Sequence, residues 1–486
     1  MPSIQTVIHA ATQTATKTAI PTVITLVADG ARPDKLAAAL ASGALPALAR
    51  IRDEGALHTI TSVFPSVTGP AYAPFLTGCH PGSVGLPGLR WYDRARAASG
   101  WPGHARSYVG AEMRHVNRDL APETRTMFEL AHSSLGALNM IGRGLPRRQS
   151  IGQSLAYIAR TSITHFRGNV SGWLDIDRRV ADDVVQRVRA ERPRYVFAAF
   201  TGIDKASHAS GHDAPAIVDA MRIVDDVAAR IREDAERAGT WDSTHLWVVS
   251  DHGHSPVAQH EDLAGVVRAS GYRVLAHPWI FTRNPDVAVM VSGNAMAHVY
   301  VNLSQRQRRF WPSLTARWND LANTLLSRES VDVLLLPLSP RSCEIRSSTR
   351  GNAVVEWTDC TYTYRPTTGD PLGVGEHDAL SADESYDRLI ESDYPDALVQ
   401  IARLAACDRS GDIIISAARN WDLRAKYEPI PHMSSHGALH REHMLVPLLT
   451  NRPVGGNPRR TVDIMPSACA ALGIAVPRGV QGRSFL

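Results

Sequence analysis

The chain has 486 residues, of which 44% are hydrophobic and 21% are charged, and its formal net charge is +4. This length and composition suit a globular enzyme with a large core, built as two domains or as one domain with an insertion. No window approaches the roughly twenty apolar residues that a membrane-spanning helix needs, and no basic block with interleaved aromatic residues indicates a nucleic-acid polymer as partner.

The first twenty residues are rich in threonine and alanine and lack the basic-then-apolar order of a signal peptide. The five cysteines are scattered and odd in number, which fits reduced thiols. We therefore predict a cytoplasmic protein with an N-terminal tail over residues 1–20 and no membrane partner. Two points stay open at this stage: whether a leader has been removed, and whether the chain forms a homodimer.

The segment Thr22–Ala28 is a run of apolar and β-branched residues that ends in Asp29. This pattern predicts a buried strand with a carboxylate at its C-terminal end, where open α/β sheets place their sites. Amphipathic spacing predicts a helix over Pro33–Glu54, and a strand is predicted over Leu57–Val63. Residues 80–148, rich in Gly, Pro, Trp and Arg, predict a long loop that lines or covers a site.

Thr68 stands at a predicted turn from a strand-exit loop into a helix, because Gly69, Pro70 and a helix-compatible run follow it. Proline at the first helical position and a hydroxyl residue before it are helix-start signals. A hydroxyl there faces unpaired backbone N–H groups and the positive end of the helix dipole, which suits a phosphate. Thr68 is therefore either a nucleophile or only a helix cap, and the rest of the chain must decide.

Two further apolar strands are predicted over Tyr195–Phe200 and Leu246–Ser250. Each runs into residues that can bind metal, namely Asp204 and His208 after the first and Asp251 and His252 after the second. Three predicted strands therefore deliver an aspartate at their ends, and two of them also deliver a histidine.

From about residue 271 the pattern changes to shorter strands and turns, which predicts an inserted α+β subdomain over residues 271–409. The core is predicted to comprise residues 21–270 and 410–486, resuming with a strand near Asp412–Ser416 and presenting His436 in a loop. The predicted fold class is a three-layer α/β sandwich with a central, mostly parallel sheet.

Six residues of metal-binding type follow apolar runs, in loops that a parallel sheet would bring to one edge: Asp29, Asp204, His208, Asp251, His252 and His436. Mixed carboxylate and imidazole ligands suit zinc or manganese and match calcium poorly. Six ligands and one hydroxyl suffice for two metal ions that share a substrate oxygen, and such pairs catalyse in-line displacements. This gives Thr68 a role as nucleophile.

The motif around Thr68 identifies a family. Val63-Phe64-Pro65-Ser66-Val67-Thr68, Leu76-Thr77-Gly78 and Pro81-Gly82-Ser83-Val84-Gly85 resemble the nucleophile region of the alkaline phosphatase superfamily, in particular its nucleotide pyrophosphatase/phosphodiesterase branch. The closing segment from Val462 to Ile474 resembles the end of the same superfamily. The resemblance covers residues 20–260 and 410–486.

The resemblance implies an alkaline-phosphatase-like fold and two divalent metal ions, zinc in the first place and manganese as the alternative. One ion would be held by Asp29, Thr68, Asp251 and His252, and the other by Asp204, His208 and His436. It further implies a phosphodiesterase or nucleotide pyrophosphatase that acts on small phosphodiesters or nucleotide-type substrates through a phospho-threonine intermediate at Thr68.

One position departs from the branch pattern, which has an asparagine three residues after the threonine where this chain has Ala71. A polar contact to the substrate is therefore expected to be missing, with replacement from one of four loop arginines: Arg90, Arg94, Arg114 or Arg143. Two rival hypotheses follow: a phosphonate (C–P) hydrolase of the same branch, and a degenerate metal-binding protein without hydrolytic activity.

Two further sets of residues are interpreted as incidental. Cys79-His80-Pro81-Gly82-Ser83 begins like a sulfatase motif, but Ser83 replaces the required arginine. The remaining histidines near the predicted ligands are interpreted mostly as surface or packing residues, some of them supporting the ligands; they are His254, His260, His432, His440 and His443. Trp91, Tyr92 and Trp101 are candidates to stack on a base or to pack beneath the loop.

Overall fold

The computed structural model of the protein describes residues 20–97, 104–109, 111–278, 281–424 and 432–486. Trp101 lies outside the described residues, so its predicted role stays a prediction. Across the described ranges, no helix combines the length and the apolar character that crossing a bilayer demands. The five cysteines all carry free thiols.

The strands of the described residues, in chain order, are β1 (Thr22–Ala28), β2 (Ala56–Thr61), β3 (Arg90–Tyr92), β4 (Ala105–Ser107), β5 (Ser134–Ala137), β6 (Ser150–Ile151), β7 (Tyr195–Phe200), β8 (Thr244–Val249), β9 (Ser255–His260), β10 (Val274–Ala276), β11 (Val287–Ser292), β12 (Met296–Val301), β13 (Val331–Ser339), β14 (Ser342–Ser347), β15 (Gly351–Trp357), β16 (Thr361–Gly369), β17 (His377–Ser381), β18 (Ile413–Ala417), β19 (Asn420–Asp422), β20 (Ser434–Ser435) and β21 (Leu445–Thr450).

The α-helices are α1 (Pro33–Ala41), α2 (Pro46–Glu54), α3 (Ala73–Thr77), α4 (Arg94–Ala97), α5 (Val116–Asp119), α6 (Met127–Leu130), α7 (Leu155–Phe166), α8 (Val170–Glu191), α9 (Gly202–Ser210), α10 (Pro215–Arg237), α11 (Leu263–Ala269), α12 (Thr315–Leu326), α13 (Ala382–Leu389), α14 (Ala397–Ala405), α15 (Arg441–Met444) and α16 (Ile464–Leu472). Short 3-10 turns include Pro70–Tyr72 before α3 and Thr461–Asp463 before α16.

A seven-stranded sheet forms the centre of the fold, in the order β2-β21-β8-β1-β7-β5-β6. The strand β1 pairs in parallel with both β7 and β8, and β5 continues the parallel set on β7. The strand β21 is antiparallel to its neighbours β8 and β2. The sheet is therefore mostly parallel, as the sequence predicts.

Side chains of successive residues in the central strands are buried on opposite faces of this sheet. In β1, Val23 and Val27 pack with α3 and α16, whereas Ile24 and Leu26 pack with α1, α2, α8 and α10. Since side chains on a strand alternate between the two faces, an uninterrupted apolar run requires cover on both. The three-layer arrangement of helix, sheet and helix is confirmed.

A second sheet has nine strands in the order β10-β11-β12-β18-β13-β14-β15-β16-β17. The helices α11 and α12 belong to the apolar cluster on one of its faces, and α14 belongs to the cluster on the other. Its turn between β11 and β12 reaches the central sheet's edge, where Asn294 forms a bridge with His436.

The strand β18 corrects one boundary of the sequence analysis. The segment Asp412–Ser416 is predicted there to resume the core, but Ile413–Ala417 pairs with β12 and β13 inside the nine-stranded sheet. A short apolar strand fits either sheet by pattern alone, because its partners are distant in sequence. The division into core residues 21–270 and 410–486 and an insertion over 271–409 otherwise stays a prediction.

The predicted helix over Pro33–Glu54 is in fact two helices, α1 and α2. Gly43 adopts a φ of 75° between them, and Pro46 begins α2. A glycine in the left-handed conformation ends a helix, and a proline lacks the backbone N–H that would continue one. The helix is therefore interrupted, although the amphipathic spacing of apolar residues continues across the break.

Candidate metal centre

Three neighbouring parallel strands end at the same edge of the central sheet and carry the predicted ligands. Asp29 follows β1 directly, Asp251 and His252 follow β8 by two and three residues, and β7 runs into α9. Asp204 and His208 are predicted in a loop, but the structure places both on α9. Residues four apart share one face of a helix, so the Asp-x-x-x-His spacing still directs both toward one point.

The structure brings Asp29, Thr68, Asp251 and His252 together, and we refer to these residues as the first cluster. The Thr68 hydroxyl lies 3.3 Å from Asp29 Oδ1 and 3.0 Å from His252 Nε2. His252 Nε2 in turn lies 3.4 Å from Asp29 Oδ1 and 3.5 Å from Asp251 Oδ2.

Asp204, His208 and His436 also meet, and His254 joins them; these four form the second cluster. The Nε2 atoms of His208, His254 and His436 lie 3.2, 3.0 and 3.5 Å from Asp204 Oδ1. The rings of His252 and His436 stack with centroids 3.6 Å apart, which places the two clusters side by side.

Both sites suit divalent metal ions: the four residues of the second cluster form one candidate metal-binding group, and Asp29 and His252 of the first cluster form another together with Asp204. Zinc bonds of about 2.0–2.2 Å place two ligand atoms of a tetrahedral site about 3.3 Å apart, and each distance given above between two ligand atoms of one cluster is 3.0 to 3.5 Å. Asp251 Oδ2 is buried with no hydrogen-bond partner, an arrangement that costs free energy unless a cation accepts its lone pairs. Each of the four histidines also fixes its ring through Nδ1, as metal-ligating histidines do.

Burial and mutual repulsion dominate the electrostatics of the carboxylates. Burial, followed by the charge of Asp204, raises the pKa of Asp29 to about 7, and burial raises the pKa of Asp251. Burial would also raise the pKa of Asp204, but Lys205 and His208 outweigh it and hold that pKa well below its usual range. Burial lowers the pKa of His252 to about 4, so the imidazole is neutral as a metal ligand must be.

Thr68 is not a helix cap. The N-cap of the 3-10 turn Pro70–Tyr72 is Gly69, with a φ of 96° and no side-chain cap bond. The Thr68 hydroxyl contacts Asp29 and His252 instead. The same turn places the Tyr72 hydroxyl 2.6 Å from Asp29 Oδ2, to which it donates. The sequence analysis missed this contact, because a tyrosine in an apolar run gives no signal of it.

Lys205 is a second residue of the site that the sequence analysis did not select. Its Nζ lies 2.8 Å from Asp204 Oδ2 and 5.7 Å from the centre of the Trp173 ring. The lysine therefore supplies a positive charge at the edge of the second cluster.

Asp177, on α8, anchors the helix that carries Asp204 and His208. Its two carboxylate oxygens accept the backbone N–H groups of Thr201 and Gly202, at 3.2 and 2.6 Å, at the start of α9. It is almost fully buried at 1% exposure.

We expect Asp177→Ala to lower the free energy of unfolding by about 1–3 kcal/mol, because it leaves the buried N–H group of Gly202 and the partly buried N–H group of Thr201 without their acceptor. It should also weaken metal binding at the second cluster, since the first turn of α9 loosens. Denaturant unfolding and metal titration measure both effects. Asp175→Ala, at an exposed position on the same helix where the carboxylate pairs with Arg178, is the matched control and should change neither.

The predicted stacking of aromatic residues on the substrate is wrong, whereas the loss of a polar substrate contact at Ala71 stays a prediction. The Ala71 side chain is fully buried and packs with Val63 and Val462. Trp91 and Tyr92 are buried in the core, where the Trp91 indole donates to the Tyr108 hydroxyl. The predicted stacking role of these two aromatic residues therefore gives way to packing.

The loop arginines have other partners. Arg94 is buried and pairs with Asp412, Arg143 donates to the carbonyl groups of Leu120 and Ala121, and Arg114 lies near Glu112 on the surface. Arg90 donates to the Val291 carbonyl group in a small cavity beside the nine-stranded sheet. Each of these four arginines therefore has a partner within the protein. A basic loop sequence alone does not show whether its arginines bind such partners or a substrate.

Apolar side chains lie beside the nucleophile position. A Cβ atom at Gly69, the residue after Thr68, would meet Met140 Cε at 2.7 Å and Leu89 Cδ1 at 3.6 Å. Both side chains are partly exposed, and we refer to Leu89 and Met140 as the apolar wall. Gly69 is thus required both by its positive φ and by this close approach.

Solved structures of known proteins share this fold. Phosphonoacetate hydrolase from Sinorhizobium meliloti 1021, in complex with phosphonoformate, is 17% identical over 93% of this chain and 96% of its own, with a TM-score of 0.53. Murine ectonucleotide pyrophosphatase/phosphodiesterase 5, as an inactive form in complex with AMP, is 13% identical over 94% and 96%, with a TM-score of 0.55. Human ectonucleotide pyrophosphatase/phosphodiesterase 5 is 12% identical over 94% and 95%, with a TM-score of 0.56.

At these identities the structures establish the alkaline-phosphatase-like fold alone. No curated protein sequence matches the chain. The family model for type I phosphodiesterase/nucleotide pyrophosphatase, in contrast, matches residues 23–443, which is most of the chain. The predicted enzyme class, a phosphoric diester hydrolase, is confirmed by this family model, and the chain therefore belongs to the type I phosphodiesterase/nucleotide pyrophosphatase family of the alkaline phosphatase superfamily.

Proposed function

We propose that this chain is a two-metal phosphodiesterase that acts through a covalent phospho-threonine at Thr68. The observation that carries the proposal is the contact of the Thr68 hydroxyl with Asp29 and His252, at 3.3 and 3.0 Å, next to a second buried cluster. Contact of a hydroxyl with a carboxylate and a neutral imidazole, without a capping role, supports the assignment of Thr68 as a nucleophile.

The residues that would hold one ion are Asp29, Thr68, Asp251 and His252, and those for the other include Asp204, His208 and His436. When bound, two divalent ions activate a nucleophile and stabilise the charge on a leaving oxygen. Zinc fits the mixed carboxylate and imidazole set, and manganese is the alternative.

The chain's own residues orient the reaction. Asp29 accepts hydrogen bonds from both Thr68 and Tyr72, so Tyr72 holds the carboxylate toward the hydroxyl. The Thr68 oxygen attacks phosphorus and loses its proton, the bond from phosphorus to the leaving alcohol oxygen breaks, and the alcohol takes up a proton. Water then cleaves the threonine phosphoester, which returns the Thr68 hydroxyl and releases a phosphoric monoester.

The surroundings of Thr68 favour a diester over a monoester. A monoester presents two negative charges on its phosphoryl group and requires several positive groups or donors, whereas a diester presents one charge. At this site the apolar wall lies beside Gly69, and Lys205 adds one positive charge at Asp204. An apolar surface suits the second ester substituent of a small diester or nucleotide-type substrate.

We expect kcat/KM for bis-p-nitrophenyl phosphate to exceed that for p-nitrophenyl phosphate by at least about tenfold, a difference of about 1.4 kcal/mol in transition-state binding. Met140→Gln should reduce this preference, because it replaces part of the apolar wall by an amide. Met113→Gln, at an exposed position, is the matched control and should leave it unchanged. A preference for the monoester would contradict the diester assignment.

A phosphonate hydrolase of the same branch is the second candidate, and Lys205 is the observation that favours it. An amine beside the second cluster suits the carboxylate of a carboxylated phosphonate, a pairing that a simple diester does not require. Phosphonoacetate should then be cleaved faster than every diester tested, and Lys205→Met should raise KM for phosphonoacetate by a larger factor than KM for any diester. If two metals bind but neither class of substrate turns over, the protein is the non-hydrolytic metal-binding protein instead.

A further inference from the structure

We propose that His254 is a fourth protein ligand of the second cluster, so that an ion there is held by Asp204, His208, His254 and His436 together. The sequence analysis interpreted His254 as a supporting or packing residue. This inference rests on the proposed function in one respect, which is that metal ions bind at the two clusters. It adds a ligand and a metal preference to the ion at the second cluster.

The hydrogen bonds of Ser434 determine which nitrogen of His254 carries the proton. The Ser434 hydroxyl lies 2.8 Å from the Ser207 carbonyl oxygen, which can only accept, so the hydroxyl proton points there. The same hydroxyl oxygen lies 3.1 Å from His254 Nδ1 and must therefore accept the N–H of that nitrogen. In a neutral imidazole the other nitrogen, Nε2, then presents a lone pair.

This lone pair faces another acceptor. His254 Nε2 lies 3.0 Å from Asp204 Oδ1, and His254 is fully buried at 0% exposure. Two acceptors at this separation, both shielded from water, repel each other unless a cation lies between them. A metal ion bound by Asp204 and His254 resolves the contact.

The other histidines of the second cluster show the same pattern. His208 Nδ1 lies 2.8 Å from the Ser434 carbonyl oxygen, and His436 Nδ1 lies 2.9 Å from the Ser66 carbonyl oxygen. Each ring donates its N–H outward and directs Nε2 toward Asp204 Oδ1, as His254 does. The ligand atoms of all four residues lie within 4.8 Å of one another. By this geometry His254 is equivalent to the two predicted histidine ligands.

Gly30 provides the space for the His254 ring. A Cβ atom at this position would lie 2.8 Å from His254 Nε2, closer than carbon and nitrogen approach without bonding. The glycine after Asp29 therefore serves the second cluster as well as its own turn, where its φ is 79°.

A set of three imidazoles and one carboxylate differs in character from the first cluster, which offers three oxygens and one imidazole. Imidazole nitrogens suit zinc and cobalt, whereas carboxylate and hydroxyl oxygens are also good ligands for manganese. We therefore expect the second cluster to select zinc or cobalt over manganese, and the first cluster to discriminate less.

Cobalt titration of the metal-free protein tests the proposal. In the wild type we expect two cobalt ions to bind, one of them with the intense visible absorption of a four-coordinate site. His254→Ala should raise the dissociation constant of that ion by roughly 100-fold and weaken its absorption as water enters the shell. His208→Ala provides the reference spectrum for damage to the second cluster. His260→Ala, at an exposed position on β9, is the matched control and should bind as the wild type does.

Zinc X-ray absorption on the same proteins counts the imidazole ligands. We expect four per pair of zinc ions in the wild type and three in His254→Gln, a variant that retains a polar side chain in case His254→Ala does not fold. An unchanged cobalt spectrum and affinity in both variants would overturn the proposal and make His254 a hydrogen-bond donor to Asp204. A wild type that binds no metal would instead overturn the proposed function together with this inference.

Discussion

Thr68→Ala is expected to retain both metal ions and to lower turnover by roughly three to six orders of magnitude, because removal of a covalent nucleophile eliminates the two-step route. Three other ligands of the first cluster remain in the variant, namely Asp29, Asp251 and His252. Thr68→Ser should retain part of the activity, since a serine hydroxyl can occupy the same position. Steady-state rates and metal content of the purified variants measure the two effects.

Two further observations make this prediction specific. Trapping the reaction with acid should leave phosphate bound to Thr68 in the wild type and none in Thr68→Ala. Ser66 is the nearest alternative hydroxyl along the chain, but it is fully buried and donates to the Ala438 carbonyl group. Ser66→Ala should therefore keep most of the turnover. Near wild-type rates in Thr68→Ala would show that the nucleophile lies elsewhere.

The sequence was sufficient to predict the central sheet and the convergence of the site residues, because both depend on local patterns. The apolar runs at β1, β7 and β8 lie where the structure has strands, and parallel strands bring their C-terminal ends to one edge whatever loops follow. All seven predicted site residues accordingly lie in the two clusters. This convergence does not depend on whether Asp204 and His208 are on a loop or, as found, on α9.

The parts that the sequence did not predict depend on contacts between distant residues. His254 becomes a ligand candidate only because Gly30 leaves space for it and Ser434 fixes its ring. The burial of Trp91 and Ala71 likewise follows from tertiary packing rather than from their neighbours in sequence. The placement of β18 in the second sheet depends on pairing with β12, which lies more than a hundred residues earlier in the chain. Residue type and spacing along the chain do not predict such contacts.

Removal of metal is expected to abolish activity, and purified protein should contain close to two zinc or manganese ions per chain. His208→Ala and His252→Ala remove one imidazole from each cluster, and each should raise the dissociation constant of its ion by more than roughly 100-fold, since even changes outside the ligand set cost 10- to 100-fold. Both side chains are buried at the sheet edge, but the strands beneath them retain their packing, so far-UV circular dichroism should change little.

The two variants should also differ from each other. His252 contacts Thr68 directly, whereas His208 contacts Asp204, Ser434 and the neighbouring imidazoles. His252→Ala should therefore remain inactive even at saturating metal, because the Thr68 hydroxyl loses its contact with the imidazole, whereas excess zinc should partly restore the activity of His208→Ala.

His80→Ala, which removes a buried histidine bonded to Gln481 away from both clusters, controls for the loss of a buried imidazole. Unchanged metal content in both His208→Ala and His252→Ala would refute the two-metal assignment, whereas rescue of His208→Ala alone would support distinct roles for the clusters.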